Sequence, residues 1–428
     1  MKLNYCLIGM LVALTPLAAN ADMYSELQNV YESNPVIKSQ RAALRAADAD
    51  VSASSAGFKP YLGVSANAGA ARTKLGNYSF DYNPVGVGLE FQQNIFEGFS
   101  TIAQYKGARA VRDAETAALY ATEQDTFLNA INAYIAVLRA DEVLKLNQSN
   151  QRVLQEYYNY CADNARVGRL TKTDVAQASA RVEMAKYALA DAQAKYDNAL
   201  ETFRRVYGDA PSEFTEIDLE RMEKLFPATV DDAVEYAMKN HPVILALQSK
   251  EKAAREKIVV ARKSILPAVD VRGSIMQIED VPYVDKVRDS RIGVYLKMPL
   301  YDKGNAFANV DKVRYTVDGI QEQTVNAQRT ITESLHQAWN MYNAQESAIT
   351  AAQAGVKANQ MALNGTRDEQ KRGRRTVLDV LNAEQELLNT KVSLAQAKFG
   401  RTSAFFAVLS ATGLLTPENL GLKIQDEE

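Results

Sequence analysis

The feature that most constrains this chain is that one unit is written in it twice. Asn34-Pro35-Val36-Ile37 returns as His241-Pro242-Val243-Ile244, and Phe58-Lys59-Pro60 returns as Ile265-Leu266-Pro267, each about 207 positions later. Farther along, the offset settles near 205. Gly88 matches Gly293, Ile95-Phe96 matches Leu300-Tyr301, and Ala133-Tyr134 matches Ala338-Trp339. Gly168 then matches Gly373, Asp174-Val175 matches Asp379-Val380, and Gly208 matches Gly413. An ordered ladder at nearly constant spacing marks two copies of one structural unit. We read the copies as residues 22–208 and 229–413, joined by a linker, 209–228, that carries Pro211 and Pro227, and followed by a tail, 414–428.

Both copies follow one layout. A short amphipathic segment (Met23–Ser33 and Val230–Asn240) leads to Pro35 or Pro242, placed where proline opens a helix. That helix should run about 22 residues and stop near Gly57 or Ser264, ahead of Pro60 or Pro267. Two strands follow, then a helix of about 65 residues from near Ser100 or Asn305, roughly 100 Å long. A turn at Gly168 or Gly373 sends the chain back through a helix of about 37 residues. Phe127, Ile131, Tyr134 and Leu138 step 4-3-4, with Leu128 and Ile135 on the neighbouring flank, and Val380, Leu387 and Leu394 repeat every seven. Heptads with two apolar flanks suit helices that touch a neighbour on either side. The return helix plus the short one nearly equals the long one, so each copy supplies two staves of comparable length.

The strands alternate. Leu62, Val64, Ala66, Ala68 and Ala70 oppose Gly63, Ser65, Asn67 and Gly69; Val85, Val87, Leu89 and Phe91 oppose Gly86, Gly88, Glu90 and Gln92. In the second copy Val269 and Val271 oppose Asp270 and Arg272, and Ile292, Val294, Leu296 and Met298 oppose Gly293, Tyr295 and Lys297. Such alternation fits a half-buried soluble sheet or a transmembrane barrel. Four strands cannot close a barrel, which needs about eight, and open edges in lipid leave backbone groups unpaired. The membrane reading therefore demands an oligomer; two copies give eight strands and three give twelve, and periodicity admits both. Phe58, Tyr61, Tyr78, Phe80 and Tyr82 are expected near one rim, with Phe96, Phe99 and Tyr301 near the other.

Lys2, the apolar run Leu7 to Leu17 and the Ala19-Asn20-Ala21 site read as a signal peptide over residues 1–21, with a mature start at Asp22. Cys6 leaves with it, and Cys161 remains as inert helix packing. After residue 21 the longest apolar stretch, Ala404 to Leu415, is too short to span a bilayer and is broken by Ser410, Thr412 and Gly413. A net charge of −3 gives no nucleic-acid signature. The chain has no Walker loop, no G-x-S-x-G elbow and no H-E-x-x-H motif. His241 and His336 read as structural, so no catalytic, cofactor or metal site is expected.

Taken together, these residues resemble the TolC family of outer-membrane factors over nearly the whole mature chain. The resemblance rests on the duplicated unit, on the paired Pro35/Pro242 and Pro60/Pro267, and on two tip motifs. The first is Val167-Gly168-Arg169-Leu170-Thr171-Lys172-Thr173-Asp174-Val175; the second is Gly373-Arg374-Arg375-Thr376-Val377-Leu378-Asp379-Val380-Leu381, followed by Asn382-Ala383. It implies an α+β membrane protein, a homotrimer whose four strands per chain build a 12-stranded outer-membrane β-barrel and whose long antiparallel helices build a periplasmic α-barrel. An equatorial collar would take in the linker and the chain end. The implied function is a passive exit duct for efflux or type I secretion, without chemistry or cofactor of its own. Its implied partners are a periplasmic adaptor (membrane fusion protein), an inner-membrane pump of ABC, RND or MFS type, and outer-membrane lipid.

Carried over by position, Arg375 is the implied gate arginine with Thr173 and Asp174 as partners, and Asp379 an acid of the constriction ring. Val167, Gly168, Arg169, Leu170, Gly373, Arg374, Thr376 and Val377 become the hairpin tips that an adaptor would touch. Two positions depart from the family pattern: Gln370 stands where a tyrosine is usual, and Asn382 where a second ring acid is usual. Both departures imply a weaker lock and a less charged ring. The reading from another class is a soluble periplasmic adaptor or coiled-coil scaffold, but the lipoyl-like β segments that flank an adaptor hairpin are missing, and detergent dependence would separate the two.

Overall fold

The computed structural model describes residues 22–209 and 214–424. The signal-peptide segment 1–21, with Cys6, lies outside the described residues, as do Pro211 in the linker and the last four residues of the tail. The first copy contains α1 (Met23–Ser33), α2 (Pro35–Ser55), β1 (Tyr61–Ala68), β2 (Ala71–Leu75), β3 (Tyr78–Tyr82), β4 (Val85–Glu97), α3 (Ser100–Arg166) and α4 (Lys172–Tyr207). A short α5 (Glu220–Glu223) lies in the linker. The second copy contains α6 (Val230–Asn240), α7 (Pro242–Arg262), β5 (Ala268–Val281), β6 (Val284–Lys297), α8 (Asn305–Lys371) and α9 (Val377–Thr412), and α10 (Pro417–Leu420) follows. Corresponding helices have equal lengths: 21 residues for α2 and α7, 67 for α3 and α8, and 36 for α4 and α9.

The described chain forms two compact units. One holds residues 35–122 and 234–333, and with them every strand. Its antiparallel sheet runs β1-β4-β5-β6, with Val64 opposite Leu89, Leu89 opposite Ile275, and Gly273 opposite Ile292. β4 carries a bulge between Asn94 and Phe96. Its helices bury apolar residues such as Ile37, Ala103, Ile244 and Val317 and add polar links: Gln40 Nε2 donates to Glu115 at 2.8 Å, Arg112 Nε to Asp48 at 3.1 Å, and Gln321 Nε2 to Glu251 at 2.9 Å.

Two expectations are corrected here. The first copy has a further antiparallel hairpin, β2–β3, in place of a plain connection between two strands. The aromatic rims also regroup. Because β1 and β4 are antiparallel, the start of β1 lies beside the end of β4, which puts Phe58 and Tyr61 at the same end of the sheet as Phe96 and Phe99. Tyr78, Phe80 and Tyr82 are on the extra hairpin, where the Phe80 ring meets Tyr283 of the β5–β6 turn at 4.7 Å.

The other unit takes in the described residues 22–34, 123–209, 214–233 and 334–424. Its core is aromatic. Phe203 stacks on Tyr207 at 4.1 Å, Phe214 meets Phe203 edge-on at 5.1 Å, and Tyr134 donates its hydroxyl to Thr215 O at 2.9 Å. Phe226 stacks on Phe405 at 4.9 Å, so both ends of the linker are held by rings from long helices. Tyr134, Phe127, Phe203 and Phe406 are fully buried, each contributing on the order of 2 kcal/mol by area. The linker also reaches α1: Tyr24 donates to Asp218 O at 2.8 Å beneath the Arg221 guanidinium. Gln28 exchanges bonds with the Lys423 backbone near the chain end, at 2.8 and 3.1 Å. Cys161 is buried, and burial pushes its thiol up to about 11, away from reactive thiolate.

His241 does a specific job at the start of α7. Its Nδ1 accepts the Val243 N–H at 3.3 Å, which only an unprotonated nitrogen can do. Burial pushes the imidazole down from 6.5 to about 4. An unfolded chain takes up this proton near pH 6.5 and the folded chain only near 4, so the contribution is full above about 6.5 and is lost as pH falls to about 4. His241→Asn keeps a capping acceptor without the titration. In thermal unfolding in detergent, the wild-type midpoint should drop more steeply than the variant's between these two pH values; parallel curves would exclude His241 as the cause.

Candidate functional site

The two hairpin tips are built alike. After α3, Gly168 adopts φ 76°, its N–H reaches Ala165 O at 3.1 Å, and Arg169 N–H reaches Asn164 O at 2.9 Å. After α8, Gly373 adopts φ 74°, its N–H reaches Gln370 O and Arg374 N–H reaches Glu369 O, both at 2.9 Å. Only glycine takes this left-handed backbone cheaply while closing the last carbonyls of a helix. Each chain then turns into a capping box. Thr171 Oγ1 accepts from Asp174 N at 3.2 Å while Asp174 Oδ2 accepts from Thr171 N at 2.9 Å, and Thr376 and Asp379 repeat both distances.

These boxes engage both tip acids locally. Asp174 and Asp379 are each the third residue of a helix, engaged by their own cap. The backbone and hydroxyl donors of Thr376, with Arg375 alongside, hold the Asp379 carboxyl below the usual carboxylate range. Arg375 donates Nε to Glu369 of its own hairpin at 2.9 Å. Among the described residues this is the arginine's partner, in place of the expected Thr173 and Asp174, because the turn at Gly373 brings residues 369 and 375 together. The signal for the boxes was present in the sequence as Thr-x-x-Asp at both tips.

Not every expected tip residue is at the surface. Val167, Arg169 and Arg374 are exposed, Val167 at 69%. Val377 is 1% exposed: with Leu381 of α9 it packs against Ala178 and Val182 of α4, and against Leu154 and Cys161 of α3. Leu170 lies partly buried against the same cluster, and Gln370 is buried. Val377 and Leu170 thus hold the two hairpins together, because each lies where a chain re-enters a helix facing the other hairpin. Two polar links went unforeseen. Arg181 of α4 donates Nη2 to Asn382 Oδ1 of α9 at 2.9 Å, across the hairpins. Arg367 of α8 pairs with the buried Glu384 of α9, within one hairpin.

The sheet presents the second candidate surface. One face carries Leu62 and Val64 at 75% exposure, Ile292 at 81%, and Val87, Leu89, Ile275, Val294 and Leu296, all exposed. An aliphatic face this wide in water would be an aggregation site. The apolar window also runs diagonally. On β4 it extends from Phe91 to Val85, whereas on β6 it extends from Leu296 to Ile292. Paired through β5, Phe91 is level with Ile292, so the near border steps by two rows between β4 and β6. Two rows are about 14 Å along the strands, against about 10 Å for two strand gaps. The strands therefore lean on the order of 50° to the normal of the apolar band, close to the tilt of a closed barrel. The opposite face is polar: Arg272 pairs with Asp270 and lies over the Tyr295 ring at 5.2 Å, and Arg291 pairs with Asp289. Among the described residues, no helix is long and apolar enough to cross a membrane, and no group of acid, His and Cys side chains could hold a metal ion.

Comparison with known proteins agrees with this geometry. The chain matches the family described as outer membrane efflux protein over residues 27–209 and 233–414. It is 28% identical to outer membrane efflux protein BepC of Brucella suis over 410 residues, covering 95% of this chain and 88% of that protein. It is 26% identical to outer membrane protein TolC of Escherichia coli over 437 residues, covering 98% and 88%. The solved outer membrane channel CmeC of Campylobacter jejuni superposes with a TM-score of 0.81 over 92% of this chain and 86% of that one, at 17% identity, a likeness of fold.

Proposed function

The chain belongs to the outer membrane efflux protein family and is an outer-membrane exit duct of efflux and secretion systems; on that premise we propose that three copies close one 12-stranded barrel and one helical tunnel. The observation that carries the proposal is the open sheet. β1 and β6 are its two edges, each with one unpaired side, beneath an apolar face that needs lipid. Unpaired edge groups in hydrocarbon cost several kcal/mol each. Pairing β6 of one copy with β1 of the next satisfies them, and the strands lean in the manner of a closed barrel's.

The copies 22–208 and 229–413 each supply one helical hairpin, and the exposed turns at Gly168 and Gly373 are the surfaces offered to a periplasmic adaptor. The pump behind the adaptor is of ABC, RND or MFS type, and the sheet is solvated by outer-membrane lipid. The duct itself does no chemistry; it is held shut at the tips by the Arg181–Asn382 link between the hairpins and by the paired cores around Val377, while Arg375–Glu369 firms a single tip. Native mass spectrometry in detergent tests the assembly and should report a trimer. A stable monomer would overturn the barrel, and a stable dimer would overturn the stoichiometry alone.

A further inference from the structure

The apolar face has a gap. In the row Leu62–Phe91–Gly273–Ile292, the third position has no side chain, although its neighbours on both strands are large. The gap opens into a groove of about 650 Å³ walled by Leu62, Val64, Leu89, Phe91, Ile275 and Ile292. Glycine is not required there by crowding. A Cβ on Gly273 would meet Arg291 O at 3.6 Å and Phe91 Cβ at 3.8 Å, both ordinary contacts. The groove is thus a shape left open on a surface that otherwise presents bulky aliphatic groups.

A charge stands at one end of it. Two rows toward the β5–β6 turn, about 14 Å away, Arg288 occupies the outward position of β6 opposite Gln277. On this strand the apolar side chains end at Ile292 and Ser290 follows, so Arg288 lies just past the border of the band. Its neighbours are engaged with each other: Lys286 pairs with Glu279 at 3.1 Å, and Gln277 donates to Glu279 at 3.2 Å. Arg288 is exposed and has no ion-pair partner among the described residues. The helices join the sheet at its other end, so Arg288 is on the side facing away from them.

An apolar trough with a free guanidinium at its far mouth has the form of an amphiphile: acyl chain along the trough, anion at the guanidinium. We infer that this surface is a binding site for a phosphate-bearing acyl lipid of the outer leaflet, one chain lying over Gly273 and the phosphate on Arg288. The site rests on the reading of the sheet as a membrane barrel. Arginine suits the role because its planar fork donates two parallel bonds to a phosphate, and a basic side chain near a lipid surface contributes about a fivefold preference for anionic headgroups.

The test is native mass spectrometry of the full oligomer released from phosphatidylethanolamine nanodiscs doped with lipid A or its dephosphorylated form. Wild type should retain phosphorylated lipid A about fivefold better than the dephosphorylated lipid. Arg288→Gln should erase that preference while keeping the chain bound, and Gly273→Leu, which fills the trough, should reduce retention of both lipids. Equal retention by wild type and both variants in inserted oligomers would overturn the site and leave the barrel standing. Failure of the wild type to insert at all would overturn the membrane reading and the site together.

Discussion

Leu89→Lys should abolish recovery of assembled protein from outer membranes, while Ser274→Lys should leave assembly near wild type. Leu89 is on the inner strand β4, in the middle of the diagonal apolar window, and its side chain is exposed in the single chain. A lysine at the midplane of a barrel's lipid face costs about 2–4 kcal/mol. Three copies in one closed barrel multiply this to roughly 6–12 kcal/mol, comparable with the whole stability of an ordinary domain. Ser274 is on the neighbouring strand, paired with Glu90 and Arg291 on the polar face, where a lysine meets water and an acid. The choice of β4 matters, because both its edges are already paired within the chain and the substitution does not touch a subunit contact. The readout is the amount of heat-modifiable oligomer in extracted membranes. Equal loss for both variants would mean only that the sheet tolerates no lysine; equal recovery of both would mean that the exposed aliphatic face is not in lipid.

Much of this architecture was legible because duplication makes the sequence its own comparison. Pro35 and Pro242, or Gly168 and Gly373, each acquire meaning from the partner about 206 residues away, and helix lengths follow from where the breakers stand. The hairpin β2–β3 also had its signal in the sequence, since Ala71, Thr73 and Leu75 alternate with Arg72 and Lys74, and Tyr78, Phe80 and Tyr82 with Ser79 and Asp81, about a Gly76-Asn77 turn; it is held by strand pairing, by the Arg72–Asp81 ion pair and by the Phe80–Tyr283 contact. The rims were misassigned because antiparallel pairing decides which end of a strand a residue occupies, and composition alone does not contain it. At the tips the residues were found but their partners were not. Thr171 and Asp174 lie three apart, so their bond is local and its spacing was readable. Arg181 and Asn382 are 201 positions apart and meet only because Val377 and Leu381 pack against Ala178 and Val182. No pattern within either helix announces that contact.

That non-local bond leads to the second large effect. Arg181→Ala should shift the duct toward its open form more than Arg375→Ser does. Arg375 holds Glu369, six residues away across a single turn, so losing it loosens one tip without separating the hairpins. Arg181 joins α4 to α9, the two return helices, one from each copy of the duplicated unit. A partly exposed bond of this kind is worth about 1 kcal/mol. If three copies open together, the lost stabilisation is about 3 kcal/mol, which multiplies the open-to-closed ratio by roughly 150. Asn382→Ala should give the same increase, and the double variant no more than either, since one bond cannot be removed twice. Glu384→Gln supplies the contrast. It weakens the pair with Arg367 inside a single hairpin, and should lower thermal stability while leaving conductance nearly unchanged. Single-channel recordings in planar bilayers decide it. Wild-type conductance from well-assembled Arg181→Ala and Asn382→Ala oligomers would show that the bond rides along with the packed helices, and that closure resides in the apolar cluster around Val377.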